Sequence, residues 1–288
     1  MIHKSVRGFH SLLQMLRISQ WLKNLMVFFP PFLGGAMGQP AAVSKGIGPF
    51  FVFCLASSAS YIFNDIMDRE NDCRHPKKKL RPIPSGTIAP ITAGILAAVF
   101  LLLSVIWSLH YSRNFCLILL AYLIISLSYS SYLKHFPVVD IFCISAGFLL
   151  RLHAGGEVFN IAISQWLFLS VFLLSIFLST GKRLCEKDSL GAGAASHRKA
   201  LDTYPEGFLE GVMYMTGAAV LVTYSMYVLP HKNLLYSIPL CTFGLLRYMM
   251  RVKSGKGGDP TESLLKDRAL FIVGLLWTIL VGYSIYAK

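Results

Sequence analysis

An all-α integral membrane protein of about nine transmembrane helices, forming one domain over residues 1–288, is the fold class this sequence predicts. Three observations lead there. The chain is 55% hydrophobic and only 14% charged, against about 25% charged in ordinary soluble domains. Apolar stretches recur at residues 25–38, 47–63, 87–109, 115–131, 137–155, 164–181, 208–229, 233–250 and 268–286, each near the ~20 residues that span a bilayer. The basic residues segregate as well. When the connections between those stretches are assigned alternately to two sides, 22 of the 27 Lys and Arg fall on one of them, and the positive-inside rule makes that side cytoplasmic.

Taken in order, residues 1–24 form a basic amphipathic stretch suited to the membrane interface. No cleavable leader is expected, because the first apolar run starts late and lacks a small-residue cleavage pattern. The first apolar segment is short and is broken by Pro30-Pro31 and Gly34-Gly35. The second runs into a polar block, Asn64 to Arg81. The fifth carries Arg151, a cation that is costly in a membrane unless it pairs or faces a cavity. Arg151 follows Asp140 by about three turns, so the two share a helix face. Either they line a polar pocket, or Arg151 snorkels or pairs with another helix. The sixth segment ends in Gly181-Lys182-Arg183-Leu184-Cys185-Glu186-Lys187-Asp188, and a third polar loop, 251–268, carries Asp259, Glu262 and Asp267.

No Pro, Gly and Ser linker divides the spans, hence a single domain. Long loops on one face and short loops on the other predict an active site facing the cytoplasm. The protein is therefore expected in the inner (cytoplasmic) membrane as a multi-pass protein. The net charge of +13 needs no nucleic acid to explain it, since basic loops beside a bilayer attract anionic lipids and phosphorylated substrates. The six Cys show no CxxC pair and read as reduced packing residues. A homo-oligomer is compatible with the sequence, because interfaces between lipid-facing helices leave little compositional trace.

Asp65, Asp68 and Asp72 stand three and four residues apart. On a helix continuing from Phe50 their carboxylates share one face. Three carboxylates that close require a cation, and hard oxygen ligands with room for substrate phosphates suit Mg2+. Six Lys and Arg follow between Arg69 and Arg81. The plainer alternative is a solvated loop whose basic residues serve only as topology signals. His75 and His197 lack the spaced partners of a zinc site. Gly255-Lys256-Gly257-Gly258 either approaches a phosphate or supplies flexibility.

The block Asn64-Asp65-x-x-Asp68-x-x-x-Asp72 resembles the first aspartate-rich motif of the UbiA superfamily of intramembrane prenyltransferases. That resemblance implies Mg2+ held against a diphosphate, a central isoprenoid cavity, and a second acidic loop after the sixth span. Here that loop reads Lys182-Arg183-x-x-Glu186 rather than DxxxD, which argues for a donor other than a prenyl diphosphate. Further stretches are similar to the decaprenyl-phosphate phosphoribosyltransferase branch: Gln20-Trp21-Leu22-Lys23-Asn24, His75-Pro76-x-Lys78-x-x-Arg81-Pro82, Tyr129-Ser130-x-x-Leu133-Lys134, His197-Arg198 and Asp259-Pro260-x-Glu262. The branch implies transfer of 5-phosphoribose from phosphoribosyl diphosphate to a polyprenyl phosphate, releasing diphosphate, for cell-envelope polysaccharide precursors.

On that resemblance Asp65, Asp68 and Asp72 are the metal ligands, with Asn64 beside them. Lys78 and Arg81, or Lys182 and Arg183, hold the phosphates. Glu186 either ligates metal or accepts from the ribose hydroxyls. Lys23, next to Asn24, either places the acceptor phosphate or anchors the interface beside Trp21, and Lys134 and Tyr129 carry the same two alternatives. Arg151 and Arg198 complete the expected substrate-binding set. A phosphate nucleophile needs no general base, in keeping with the lack of an evident Ser-His-Asp or Cys-His pattern. Two alternatives remain: a UbiA-type aromatic prenyltransferase of quinone biosynthesis using a prenyl diphosphate, and a transporter, which would place more polar groups near the membrane midplane.

Overall fold

The computed structural model describes residues 11–76, 78–190, 201, 203–231 and 233–287, and every regular element among them is helical. Among the described residues seven helices are long and apolar enough to cross a membrane. They are α2 (Ala42–Met67), α4 (Pro90–Leu109), α5 (Arg113–Ser131), α6 (Val139–Phe159), α7 (Gln165–Leu190), α8 (Phe208–Val228) and α11 (Arg268–Tyr286). Shorter helices lie between them: α1 (Phe29–Leu33), α3 (Arg69–Arg74), α9 (Ser237–Lys253) and α10 (Pro260–Lys266).

Two of the nine predicted segments take another form. Residues 25–38 do not make one spanning helix. A 3-10 helix, Ile18–Phe28, passes into the five-residue α1 with Pro30 and Pro31 at its start, and Gly35 then turns the chain at φ 73°. Proline tolerates only the first turn of a helix and glycine readily adopts positive φ, so this stretch cannot run on. The predicted segment 233–250 is a 3-10 turn, Leu234–Tyr236, running directly into α9, whose 17 residues stand at the lower end of the ~17–25 that cross a bilayer.

Local chemistry sets the helix ends. Ser112 caps α5 by accepting from the Phe115 N–H. Asp259 caps α10, accepting from Thr261 and Glu262, with Pro260 at its first position. Asp267 accepts from Ala269 and Leu270 at the start of α11. Each satisfies backbone donors that the helix itself leaves open.

Two packed clusters flank the centre. Val27, Val52, Phe53, Ala56, Phe115, Leu119, Tyr122 and Ala154 join the 3-10 helix to α2, α5 and α6. Ile141, Phe177, Leu184, Leu209, Met213, Tyr248 and Val252 join α6 to α7, α8 and α9. Helices α4 and α11 are the least buried of the seven, as expected of elements that turn most of their surface to lipid. Gly155 lets α6 reach the N-terminal segment, since a Cβ there would sit 2.2 Å from the carbonyl oxygen of Val27. Gly155→Ala is therefore expected to lower stability by about 1–3 kcal/mol, the usual cost of overpacking. Thermal unfolding of the detergent-solubilised variant measures it.

Candidate active site

The acidic block sits where α2 gives way to α3. Asp65 lies in the last turn of α2, Asp68 is the junction residue at φ −90° and ψ 3°, and Asp72 belongs to α3. The single continuous helix expected for the three acids is thus broken at Asp68. The break keeps Asp65 and Asp72 on one cation but turns Asp68 to separate partners, so the three carboxylates do not meet at one point. One guanidinium nitrogen of Arg81, Nη1, donates to Asp65 Oδ1 at 3.0 Å and to Asp72 Oδ2 at 2.6 Å. Arg17 donates to the same Asp65 oxygen, Lys134 donates to Asp68 Oδ1, and Asn64 Nδ2 donates to Asp68 Oδ2 at 3.1 Å. Lys78 Nζ stands 3.9 Å from Asp72 Oδ1. Even with Arg81 and Lys78 beside it, burial pushes the Asp72 carboxyl above its ordinary pKa. Removal from water disfavours the charged form more than those two cations favour it.

Among the described residues no three His, Cys, Asp or Glu side chains are grouped so as to hold a metal ion, Asp65, Asp68 and Asp72 included. The donors still fit Mg2+. They are all oxygens, and Asp65 and Asp72 already share one cation position. Magnesium takes one or two carboxylates and leaves its other positions to water and substrate phosphates.

A cavity of about 300 Å³ opens among α2, α5, α6 and α7, and a second of about 630 Å³ adjoins it beneath the 3-10 helix and α10. They share Arg17, Lys23, Tyr61, Arg81 and Lys182. Of the sequence-predicted residues, Lys23, Asn64, Asp68, Asp72, Lys78, Arg81, Tyr129, Lys134, Arg151, Lys182, Arg183 and Glu186 line the first cavity, and Asp65 lines the second. Asn24 lines neither. It is fully buried behind Arg151, whose Nε donates to its Oδ1 at 2.7 Å. Arg198 and His197 lie outside the described residues.

Arg183 takes a different place from the one expected for a phosphate ligand. Its Nε donates to Asp140 Oδ2 at 2.6 Å, Nη1 to Glu186 Oε2 at 2.6 Å and Nη2 to Tyr129 Oη at 2.9 Å. Asp140 also accepts from Tyr204 Oη at 2.8 Å. Asp140 therefore serves Arg183 and not Arg151, and it does not line the cavity. Arg183 works as a strut that presents Glu186 and Tyr129 at the wall. Lys182 stands where the two cavities meet, 3.2 Å from Asp259. Burial alone would raise the Asp259 pKa, but Lys182, Lys23 and the Glu262 N–H hold it well below the usual carboxylate range.

In the Gly255–Gly258 stretch Gly255 and Gly257 supply positive φ of 66° and 99°, and Gly258 serves packing. A Cβ on Gly258 would meet the Gly181 carbonyl oxygen at 2.6 Å, and Tyr248 Oη donates to the Gly258 carbonyl at 2.7 Å. Both contacts press the loop against the turn that carries Lys182. Sequence reasoning passed over Arg17, counted only as a topology charge, and Tyr122, which lacks any motif. Asp259 stood within a quoted motif without a site role.

Burial, reinforced by Lys182, pushes the Lys23 ammonium down to about 7 from 10.5. The unfolded chain then holds a proton that the folded chain has shed, so stability rises as pH climbs from about 7 toward 10.5. The thermal midpoint should rise between pH 7 and 9, and Lys23→Met should flatten part of that rise.

The UbiA prenyltransferase family pattern matches residues 27–275. The chain belongs to the UbiA prenyltransferase family. This UbiA family member is 33% identical to the decaprenyl-phosphate phosphoribosyltransferase of Mycolicibacterium smegmatis, over 96% of its own length and 92% of the relative's. It is also 33% identical to the Corynebacterium glutamicum protein of the same name, over 96% and 86%. Among solved structures it resembles a UbiA homolog from Archaeoglobus fulgidus bound to GPP and Mg2+, with TM-score 0.74, 20% identity, and 96% of this chain and 100% of that one covered. The fold is therefore the UbiA helical bundle of a multi-pass membrane protein.

Proposed function

We propose that this UbiA family member transfers 5-phosphoribose from phosphoribosyl diphosphate to a polyprenyl phosphate, releasing diphosphate, at a site facing the cytoplasm in the inner membrane. The charge make-up of the cavity carries the proposal. Eight Lys or Arg side chains line it against Asp68, Asp72 and Glu186. That surplus suits substrates bringing a diphosphate and separate phosphate monoesters, more anionic oxygen than a prenyl diphosphate alone presents. The whole-length likeness to curated proteins named for this reaction supports the same reading and favours an enzyme over a transporter.

Asp65, Asp68 and Asp72 would hold Mg2+. When bound, the ion would supply charge neutralisation on the departing diphosphate. The chain's own residues do the rest. Arg81, Lys78 and Lys134 stand around the acids to bind diphosphate oxygens. Lys182, where the two cavities join, stands to bind a second phosphate. Glu186, steadied by Arg183, can accept hydrogen bonds from ribose hydroxyls. The bond from the anomeric carbon to the diphosphate oxygen breaks as a lipid phosphate oxygen bonds to that carbon, through an oxocarbenium-like state. The attacking phosphate is already ionised at neutral pH, so no side chain has to take a proton from it.

The test is transfer of label from phosphoribosyl diphosphate into an organic-soluble product, in membranes containing this chain, polyprenyl phosphate and Mg2+, with and without EDTA. Metal-dependent label supports the proposal. No label, together with activity on a prenyl diphosphate and an aromatic acceptor, would move the protein to the aromatic prenyltransferase branch.

A further inference from the structure

Arg151 and Arg183 are both buried cations, at 5% and 2% exposure, but they are treated differently. Arg183 has Asp140 and Glu186. Arg151 has only neutral partners: Asn24 Oδ1 at 2.7 Å, the Gly147 carbonyl at 2.8 Å and Tyr122 Oη at 2.9 Å. Its guanidinium also lies 4.5 Å from the centre of the Tyr122 ring and 5.8 Å from that of Phe53. Among the described residues no carboxylate comes within ion-pair distance. Three of its five N–H groups are used and two are not. A guanidinium buried in that way carries its desolvation cost without a compensating anion.

The surroundings are a built site. Asn24 Nδ2 donates to Ser57 Oγ at 3.2 Å and to Cys54 Sγ at 3.3 Å, which turns its oxygen to Arg151. Arg151 and Tyr122 line the first cavity together with Lys23, and the Lys23 ammonium makes no hydrogen bond or ion pair with the described residues. Ser57 precedes Asp65 by eight residues on α2, so this level lies ~12 Å deeper than the acids.

We propose that the deep end of the cavity, at Arg151 and Tyr122 with Lys23 on the side where the two cavities meet, is a subsite for a phosphate monoester, separate from the diphosphate position at the aspartates. A dianion there would compensate the Arg151 guanidinium, which has only neutral partners, and would draw the Lys23 amine into its charged form. The inference rests on the phosphoribosyl reading in one respect, since that reaction brings two such groups: the 5-phosphate of the donor and the phosphate of the lipid.

Binding without turnover tests it. The full chain, purified in detergent with EDTA present, would be titrated with ribose 5-phosphate, with a short-chain polyprenyl phosphate and with the matching polyprenol. At least one phosphate should bind, and R151Q and K23M should each weaken it tenfold or more, with R151K intermediate and polyprenol unaffected. Sensitivity confined to ribose 5-phosphate assigns the subsite to the donor; sensitivity confined to the lipid phosphate assigns it to the acceptor. Unchanged binding of both in K23M and R151K would overturn the proposal and leave Arg151 a packing residue. Because no transfer is measured, the subsite stands if phosphate binding depends on Arg151 while the labelled-transfer assay fails, and the phosphoribosyl reading then falls alone.

Discussion

Asp68→Asn is expected to cut Mg2+-dependent transfer by about a thousandfold while the fold persists. The change keeps side-chain size and the contact with Asn64 but removes one of three negative charges at the junction of α2 and α3. A bound metal contributes several kcal/mol of charge stabilisation to a departing anion. At 1.36 kcal/mol per factor of ten, losing about 4 kcal/mol gives that thousandfold. The cost to folding should be about 1–2 kcal/mol: the Asp68 side chain is a quarter exposed, which screens the pair, but its partner Lys134 is buried and loses a carboxylate. The labelled-transfer assay over a range of Mg2+, beside a thermal melt, measures both effects. Activity within tenfold of the unmodified protein, at every Mg2+ concentration, would remove Asp68 from the metal site.

Arg183→Met should have the largest effect on stability, a loss of about 3–5 kcal/mol, because it leaves a buried carboxylate without its cation. Asp140 is fully buried and would keep only the Tyr204 hydroxyl. Tyr129 and Glu186 would lose the nitrogen that holds each of them at the cavity wall. Removing both charges, as Asp140→Leu with Arg183→Met, should recover much of the loss, since an apolar replacement of a buried pair is often neutral. Denaturant unfolding of the two single variants and the double variant in detergent gives the coupling directly. Equal destabilisation in the double and the single variants would show that the strut acts through packing volume rather than charge.

Several features were legible in the linear chain for physical reasons that act locally. A run of apolar residues pays little to enter a bilayer whatever its neighbours do, so seven spanning helices coincide with predicted segments. The pair Pro30-Pro31 limits helix formation by its own geometry, so it marks a break wherever it falls. The acidic spacing and the Lys182-Arg183-x-x-Glu186 stretch marked the cavity wall because residue type alone limits what such a cluster can bind. Adjacent residues in that stretch proved to have different tasks. Lys182 faces a carboxylate where the two cavities meet, whereas Arg183 points inward to Asp140.

By itself, then, the sequence determined the helical membrane class, most of the spans and much, though not all, of the polar cavity's lining: Arg17 and Tyr122 carry no motif, and Asn24 and Asp140 stand behind the wall. Only the tertiary structure decided which charges meet. Arg17 reaches Asp65 across 48 positions, Lys134 reaches Asp68 across 66, and Arg151 reaches Asn24 across 127. No periodicity encodes such pairings. They follow from how α2, α5, α6 and the N-terminal segment pack, and packing also determines which buried cation receives a carboxylate and which is left with neutral partners.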